Sequence, residues 1–594
     1  MNKDEKKSGR KRFSRKRIVN IYHESADKVG KHFADNFIAR IRNIHEVRLW
    51  VIEWVLLVSA VFLFALVQIM WYDDSYRVES FANGGDYTEA VLGEVNSMNP
   101  LYAANNAERT LGRLLFANLV SPDASGHNKG ELAKTVKMDD SGKIWTVTLR
   151  DGILWSDGEA ITADDVIYTI DLIRDASAKT TVSADFSRVT VKKIDDKTIE
   201  FTLPSTYVDF ADTLEFPIVP KHILGDISPA LIYESDFSTN PVGSGPFVLK
   251  TMQLNSSTSL NTRTIYLSRN DNYFLSDTKL DLFTLKTYKK RDDIVEALNA
   301  KEVTATAEDI SGDAWLSSDI SERESLLNGG VFAFFNTENG VVKDANFRQA
   351  IRRSVNMQTV RDGLSEMRGL DYPILVRQEN LEYPDVPGYD IGAAKELLEK
   401  AGCSYNESGK VQDKNGEEIK LRAVVQKRGL LTQVAERFVE EIRQLGVGIE
   451  LTIFDEEQTS ADFFSTVVRP RDYDILFYEV DLGVSADPFV YYSSTQASAG
   501  GWNFSNYSNG LVDDALLSAH TTTNMAIRKA KYEYFLKAWM SDTPAIGIYQ
   551  SSLNYYYNYD VKIFSENAVL TDAYDRFGDV RFWAADKATV NVTP

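Results

Sequence analysis

Residue types that build catalytic and metal sites are scarce in this sequence. Its 594 residues include one cysteine, Cys403, and six histidines, so an internal disulfide framework is excluded. There is no H-E-x-x-H motif, no paired metal-ligand spacing and no glycine-rich loop of the kind that cradles phosphate. The run Gly243-Ser244-Gly245 departs from the G-x-S-x-G nucleophile elbow. We therefore expect no enzyme activity, no cofactor and no dedicated metal site, and we expect Cys403 to be a buried, unreactive thiol.

Basic charge is scarce everywhere except at the N-terminus. Residues 1–48 hold 14 Lys and Arg against 6 Asp and Glu, a net charge of +8, whereas residues 49–594 carry −28. Such an acidic body argues against nucleic acid as a partner. The basic tract at residues 3–17 is typical of a disordered tail that is attracted to anionic lipid.

A long apolar run follows this tail. Residues 54–72 contain no charged side chain, and residues 49–72 reach the length of about 20 residues that a membrane-spanning helix needs. Aromatic residues that favour membrane interfaces lie at both ends of the run: Trp50, Trp54, Trp71 and Tyr72. The run is too long for a cleaved signal peptide, and no small-x-small cleavage site ends it. We expect an uncleaved anchor.

The charges beside the anchor predict its orientation. Lys and Arg crowd its N-terminal flank, and Asp73 and Asp74 follow it. The positive-inside rule then predicts a single-pass protein of the cell membrane, with a cytoplasmic N-terminus and the acidic body outside. Apolar residues recur at helical spacing over residues 26–44, between basic residues. This pattern favours an amphipathic helix on the inner leaflet, with packing on another protein as the alternative.

Hydrophobic periodicity in the body predicts an α/β fold. Residues 145–149 alternate as a strand does, and Thr162 to Asp165 have the form of a helix N-cap with an acid at the third helical position. Strand patterns at residues 198–203 and 264–267 alternate with helical patterns at 292–298 and 431–445. Such alternation favours sheets that are covered by helices.

Several short motifs occur in one fixed order along the body. They are YTE at 87–89, VNSMNP at 95–100, WTVTLRDGILWSDGEAITADDVIYT at 145–169, FPIVPKH at 216–222, PVGSGPF at 241–247, FN at 335–336 with FRQAI at 347–351, YDIGAAKELLEKAG at 389–402 and LGVGIEL at 445–451. Together they resemble the family 5 extracytoplasmic solute-binding proteins, the receptors that deliver peptides, nickel and other solutes to ABC importers. The resemblance covers residues 87–549.

The resemblance implies a two-lobed α/β fold of the periplasmic-binding-protein type (type II, with an extra inserted subdomain), here preceded by one transmembrane helix. The expected segments are a cytoplasmic basic tail (1–48), the anchor (49–72), the first part of lobe I (85–131), the inserted subdomain (132–239), the second part of lobe I (240–330), lobe II (331–540), and a return to lobe I with a C-terminal tail (541–594).

The function implied is that of a membrane-anchored receptor of an ABC importer. Its expected partners are an oligopeptide or similar small solute in the cleft between the lobes, and ABC permease subunits. A nickel chelate is an alternative ligand. From another class of function, the fold could serve as a ligand sensor or scaffold that signals through its anchor and basic tail, since the tail is longer than an anchor needs.

Two segments supply candidate ligand-binding residues. Ala104, Asn105 and Asn106 match a stretch that lines the cleft in peptide-binding relatives. Residues 478–492 (YEVDLGVSADPFVYY) occupy the place of the family's G-W-x-x-D-x-x-x-P, whose acid pairs with the α-ammonium of a bound peptide. A buried ammonium without a counter-charge costs several kcal/mol.

This chain departs from that pattern, because the register places Gly483 where the acid is expected. Asp481 is our first choice for the ammonium partner and Asp487 our second. The alternative is that Asp487-Pro488 forms only a turn and Asp481 is a solvated loop charge. Further candidates are aromatic walls of the cleft, with core packing as the alternative: Trp502, Tyr507 and Tyr549.

Overall fold

The computed structural model describes residue 31 and residues 44–123, 128–182, 186–255, 262–276, 278–310, 315–364, 368–374, 380–455, 462–484, 487–498, 500–558 and 561–591. The predicted basic tail at 3–17 lies outside these residues, and so does most of the predicted amphipathic helix at 26–44. The chain divides into two units: Met1–Ser80 with Ala588–Pro594, and Phe81–Lys587.

The first unit contains one long helix, α1 (Ile44–Tyr76). Within it, Leu49–Trp71 is long and apolar enough to cross a membrane by length and composition. At a rise of about 1.5 Å per residue, these 23 residues extend about 35 Å, against a hydrocarbon core of about 30 Å. Strands β1 and β20 pair with each other as a two-stranded sheet.

The strands of the described residues are, in chain order, β1 (Arg77–Phe81), β2 (Asp86–Leu92), β3 (Val120–Pro122), β4 (Asn128–Gly130), β5 (Ala133–Met138), β6 (Ile144–Leu149), β7 (Thr190–Lys193), β8 (Thr198–Thr202), β9 (Phe247–Asn255), β10 (Thr262–Arg269), β11 (Leu282–Tyr288), β12 (Ala305–Thr306), β13 (Ile320–Phe335), β14 (Ser404–Tyr405), β15 (Val411–Gln412), β16 (Lys420–Gln426), β17 (Gly448–Phe454), β18 (Ile475–Asp481), β19 (Ala545–Asn558) and β20 (Lys587–Asn591).

The α-helices after α1 are α2 (Asn106–Leu115), α3 (Ala163–Arg174), α4 (Phe210–Thr213), α5 (Lys221–Leu224), α6 (Arg291–Asn299), α7 (Ala345–Ser354), α8 (Met357–Val360), α9 (Ile391–Lys400), α10 (Gly429–Gln444), α11 (Phe489–Tyr492), α12 (Gly510–Thr521) and α13 (Met525–Asp542). Short 3₁₀ segments lie at Pro100–Tyr102, Pro229–Glu234, Asp236–Ser238, Gly340–Lys343, Ser494–Gln496 and Ala573–Phe582, and a π-turn lies at Phe464–Val468.

A ten-stranded sheet, in the order β17-β16-β18-β13-β19-β12-β2-β11-β10-β9, runs through the second unit. The long strands β13 and β19 pair antiparallel at its centre, and they join the half with β2 and β9–β12 to the half with β16–β18. Side chains of β18 alternate between two cores, as the pleat of a strand requires: Ile475 and Phe477 enter one, and Leu476 and Val480 enter the other.

A separate four-stranded antiparallel sheet, in the order β5-β6-β8-β7, lies within the predicted subdomain at 132–239. The predicted strand at 145–149 is confirmed as part of β6. The predicted helix start is confirmed as a capping box: the Thr162 side chain accepts from the Asp164 N–H, and the Asp165 carboxylate accepts from the Thr162 N–H at 2.8 Å. The predicted helices at 292–298 and 431–445 are confirmed as α6 and α10. The domain boundaries stay a prediction.

A buried ion pair joins the C-terminal part of this unit to strand β2. Arg576 Nη2 lies 2.6 Å from Glu89 Oε1, and the two side chains are 2% and 1% exposed. The Tyr555 hydroxyl donates to the other carboxylate oxygen of Glu89 at 2.6 Å. Since each charge has left water, each depends on its partner.

We expect Arg576→Met to lower the free energy of unfolding by about 3–5 kcal/mol, because it leaves the Glu89 carboxylate buried without a cation. Urea denaturation of the purified full-length protein measures this loss. Lys289→Met is the matched control, since its pair with Glu94 is solvent exposed and is worth less than about 1 kcal/mol. Equal effects of the two substitutions would contradict the structural role of the buried pair.

Candidate functional site

A cavity of about 840 Å³ lies in the second unit between two stretches of chain. Its first wall consists of residues from 182–215, and its second wall consists of residues from 478–520. Sites for small ligands in proteins typically have about 300–1,000 Å³. This cavity is therefore large enough to hold a small solute.

The end of β18 forms the acidic part of the second wall. Residues Glu479 and Asp481 continue the strand face of Ile475 and Phe477 beyond the core, and both line the cavity. Strand β16 pairs with β18 only as far as Phe477, so among the described strands only β13 pairs with the last residues of β18. The Ser551 hydroxyl donates to Glu479 Oε1 at 2.5 Å.

The turn after β18 holds Asp481 in place. Gly483, at a φ of +64°, donates its N–H to Asp481 Oδ1 at 2.9 Å. Tyr491 donates its hydroxyl to the Asp481 carbonyl at 2.5 Å, and Asn328 donates its side-chain amide to the Gly483 carbonyl at 3.2 Å. A glycine suits the left-handed conformation at position 483. These bonds hold both the side chain and the backbone of Asp481.

The Asp481 carboxyl titrates above its ordinary range. Its side chain faces the cavity and is solvent exposed, yet enough protein surrounds it that desolvation raises its pKa to about 6. The negative charges of Asp572 and Glu479 raise the pKa further, whereas the Gly483 N–H and Arg109 lower it. A cation in the cavity would therefore be stabilised by this carboxylate.

Asp487, the second predicted acid, also lines the cavity but has several protein partners. It is 7% exposed, and its Oδ2 lies 2.5 Å from His520 Nδ1. Its Oδ1 accepts from the Phe489 N–H at 3.0 Å and from the Tyr532 hydroxyl at 3.3 Å. These bonds position His520 and the start of α11.

A second group of contacts, which we call the bridging contact, joins Tyr207 and Asp209 to His520 and Arg528. The Tyr207 ring stacks on the His520 imidazole at 4.3 Å, and the Phe489 ring stacks on the same imidazole at 4.7 Å. Arg528 forms a bidentate pair with Asp209 at 2.9 and 2.7 Å. The bridging contact therefore holds the two walls of the cavity together.

Three predicted residues, Ala104, Asn105 and Asn106, do not line this cavity in the part of the chain that the structure describes. The Ala104 N–H donates to Glu108 Oε2, and the Asn105 side chain caps α2 by accepting from the Glu108 N–H. The Asn106 side chain accepts from the Tyr574 hydroxyl at 2.9 Å. Hydrogen bonds within the protein therefore engage these polar groups.

The predicted aromatic residues lie in different places. Trp502 is exposed and lines the cavity together with Asp481 and Asp487. Tyr507 is buried, and its hydroxyl donates to Asp542 Oδ2 at 2.6 Å. Tyr549 is buried beneath the guanidinium of Arg368, which lies 5.0 Å from its ring centre. Neither tyrosine is on the cavity wall within the described residues.

The first wall was not anticipated from the sequence. Tyr207, Asp212 and Glu215 lie in the region predicted as the inserted subdomain, where the sequence suggested no ligand-binding residue. Their only sequence signal is a cluster of acidic and aromatic residues around α4. Across the described residues, no group of three or more His, Cys, Asp and Glu has an arrangement that could hold a metal ion.

Comparisons with known sequences agree with one another. The model of the bacterial extracellular solute-binding proteins, family 5 Middle, matches residues 128–503. The oligopeptide-binding protein AppA of Bacillus subtilis is 24% identical over 491 residues, which are 78% of this chain and 86% of AppA.

Solved structures share the fold. The structure of AppA from Bacillus subtilis in complex with a nonapeptide matches with a TM-score of 0.67 at 21% identity, covering 85% of this chain and 100% of that one. NikZ from Campylobacter jejuni in complex with Ni(L-His) matches with a TM-score of 0.66 at 22% identity, covering 84% and 99%. These likenesses confirm the predicted two-lobed α/β fold.

The bridging contact can be tested with spin labels. Cys403 is buried as predicted, and burial raises the pKa of its thiol to about 11, so introduced cysteines can be labelled selectively. We expect Arg528→Met to lengthen and broaden the distance distribution between labels at Lys192→Cys and Lys537→Cys, because it removes the bidentate pair with Asp209.

Double electron–electron resonance spectroscopy measures these distances. The reversed pair Asp209→Arg with Arg528→Asp should restore the narrower distribution. Lys529→Met, which removes only an exposed pair with Glu533, is the matched control. An unchanged distribution in Arg528→Met would show that the pair does not hold the walls together.

Proposed function

Because this chain belongs to family 5 of the bacterial extracellular solute-binding proteins, we propose that it is a membrane-anchored receptor that binds an oligopeptide and delivers it to an ABC importer. The relatives support this proposal, since AppA of Bacillus subtilis is an oligopeptide-binding protein. In this proposal the chain binds its solute without chemical change.

The observation that carries the proposal is the position of Asp481 on the wall of the large cavity. Its carboxylate accepts one hydrogen bond from the Gly483 N–H, and within the described residues no cation lies within ion-pair distance. An α-ammonium group of a peptide would supply three donors and the missing positive charge. Asp481 is therefore our proposed partner of the peptide N-terminus.

Other lining groups suit the rest of a peptide. Trp502 and Tyr491 offer apolar faces for side chains, and Arg188 offers a guanidinium to a carboxylate. Closure of the two walls around a bound ligand would exclude water, as in other hinged binding proteins. Tyr207 and His520 line the cavity and also take part in the bridging contact, so occupation of the cavity would favour closure.

We propose that α1 anchors the receptor in the cell membrane with residues 1–48 in the cytoplasm and the binding unit outside. The length and composition of Leu49–Trp71 support a single span. The charge difference between its two flanks supports this orientation. A tethered receptor would remain close to its permease.

Peptide affinity should depend on the charge of Asp481. We expect peptides with a free N-terminus to bind tightly above pH 6 and to lose affinity as the pH falls below about 6, where the empty site becomes protonated. The dissociation constant should rise by up to about tenfold per pH unit below that point, until the complex is protonated too. Isothermal titration calorimetry of the full-length protein with a nonapeptide measures this profile.

Two controls accompany the pH profile. Asp481→Asn should weaken binding at pH 7.5 and remove most of the pH dependence, and N-terminal acetylation of the peptide should do the same. A nonapeptide that binds equally well with and without acetylation would exclude Asp481 as the ammonium partner. Failure of all peptides to raise the melting temperature would exclude peptide binding.

Orientation in the membrane can be tested in spheroplasts. We expect external protease to digest the binding unit and to spare a tag at the N-terminus, because the tag would be cytoplasmic. Carbonate washing should leave the protein in the membrane fraction, whereas a chain without residues 49–72 should be released. Digestion of the tag in sealed spheroplasts would contradict the orientation.

A further inference from the structure

The first wall of the cavity contains a carboxyl group that forms no ion pair within the described residues. Glu215 follows α4 and lines the cavity, and its backbone N–H donates to the Asp212 carbonyl at 3.2 Å. Its side chain is half-buried. Within the described residues, its carboxyl group has neither a hydrogen bond nor an ion pair, and the residue lines the space that a ligand would occupy.

The surroundings of Glu215 are strongly acidic. Burial raises its pKa well above the ordinary range, and the carboxylates of Asp575, Asp572 and Asp212 raise it further. Asp575 is itself affected, since burial and the charge of Asp572 raise its pKa to about 7. These carboxyl groups therefore bind a proton more readily than an ordinary carboxyl group does, and a cation placed beside them would favour their ionised forms.

The nearby cation is already engaged elsewhere. Arg113 is the positive charge that acts on Glu215, but its Nη1 forms an ion pair with Glu131 Oε2 at 3.2 Å. The same Glu131 oxygen accepts from the Asn118 N–H and the Ser121 hydroxyl. The charge of the Arg113 guanidinium is therefore shared among several acidic groups, and Glu215 has no ion pair of its own within the described residues.

The charges on the cavity wall point to the composition of the ligand. An ordinary zwitterionic peptide could place its ammonium at Asp481 and its carboxylate at Arg188, and this would leave Glu215 unpaired. Glu479 also lines the cavity, whereas Asp487 has His520 as a partner. The cavity wall therefore has more acidic groups than a single ammonium group can pair with.

Aromatic side chains in the same cavity suit a cation as well. Tyr207 and Phe210 lie on the first wall, and Tyr478, Tyr491 and Trp502 lie on the second. The face of an aromatic ring attracts ammonium and guanidinium groups within about 6 Å of its centre. Such rings would also cover the methylene groups of a long basic side chain.

We propose that this cavity selects peptides with a second positive charge, a lysine or arginine side chain that Glu215 receives while the α-ammonium pairs with Asp481. The inference rests on the proposed peptide-binding function and names the class of peptide. Glu215 acts as a specificity-determining residue, because a neutral side chain at that place would leave its carboxyl group buried against the ligand without a partner.

The test compares peptides that differ only in this charge. In a series of alanine tetrapeptides, a single lysine is moved from position two to position four, and norleucine replaces it in the matched series. Calorimetry with the full-length protein at pH 7.5 and 0.15 M salt measures the dissociation constants. For at least one position, we expect the lysine peptide to bind at least tenfold more tightly than its norleucine counterpart.

Variants assign this preference to one residue. Glu215→Gln should bring the ratio of the two dissociation constants close to one. Glu215→Asp should retain most of the preference for the lysine peptide. Glu159→Gln removes an exposed carboxylate outside the cavity wall and should leave the ratio unchanged. Since Glu215→Gln replaces a partly buried carboxyl group that has no hydrogen bond or ion pair within the described residues, its melting temperature should equal or exceed that of the parent protein.

Each result separates the two proposals. Equal binding of lysine and norleucine peptides would overturn the preference for basic peptides and leave the peptide-binding function intact. A lysine preference that survives in Glu215→Gln would overturn the role of Glu215. Absence of binding by every peptide would remove both the function and this inference.

Discussion

The antiparallel pairing of β13 with β19 is the interaction on which the arrangement of the binding unit depends. These strands pass through both halves of the ten-stranded sheet, and their register is irregular between Leu326 and Gly330. The backbones come very close there: a Cβ atom at Gly330 would lie 2.3 Å from a methyl carbon of Leu370 and 2.9 Å from the Tyr549 carbonyl oxygen. Gly329 is opposite Asp481 in the pairing with β18. The same irregular segment that joins the halves thus positions the acid on the cavity wall.

One buried acid in the core of the fold is paired with a cation, whereas two acids on the cavity wall are not paired within the described residues. Glu89 and Arg576 neutralise each other at 2.6 Å and are almost completely buried, so this pair contributes to the fold. Within the described residues, Asp481 and Glu215 have no such partner, and desolvation raises the pKa of both. An acid that is kept partly desolvated without a cation costs stability. A cationic ligand would offset that cost, which is why these two residues carry our proposals on the ligand.

Local patterns predicted the fold well because they describe interactions between residues that are close in the sequence. The capping box of Thr162 and Asp165 and the strand at 145–149 both form where expected. Asp481 reaches the cavity because strand alternation continues to the end of β18. Glu215 and Tyr207 could not be found in this way, since they meet the second wall only after distant segments pack together. At 104–106 the amides suit a ligand by type, but nearby groups such as Glu108 and Tyr574 already bind them.

The two candidate acids of the second wall differ in how many hydrogen bonds they already accept from the protein. Asp487 is 7% exposed and binds His520, the Phe489 N–H and the Tyr532 hydroxyl, so a ligand ammonium would have to displace bonds that the protein already makes. A ligand ammonium at Asp481 would displace few existing bonds, because within the described residues its carboxylate accepts one hydrogen bond, from a backbone N–H. Asp487 instead holds the imidazole that stacks against Tyr207, and both rings line the cavity. We therefore propose that Asp481 receives the ligand charge and that Asp487 supports closure of the walls, so that occupation and closure of the cavity would be coupled.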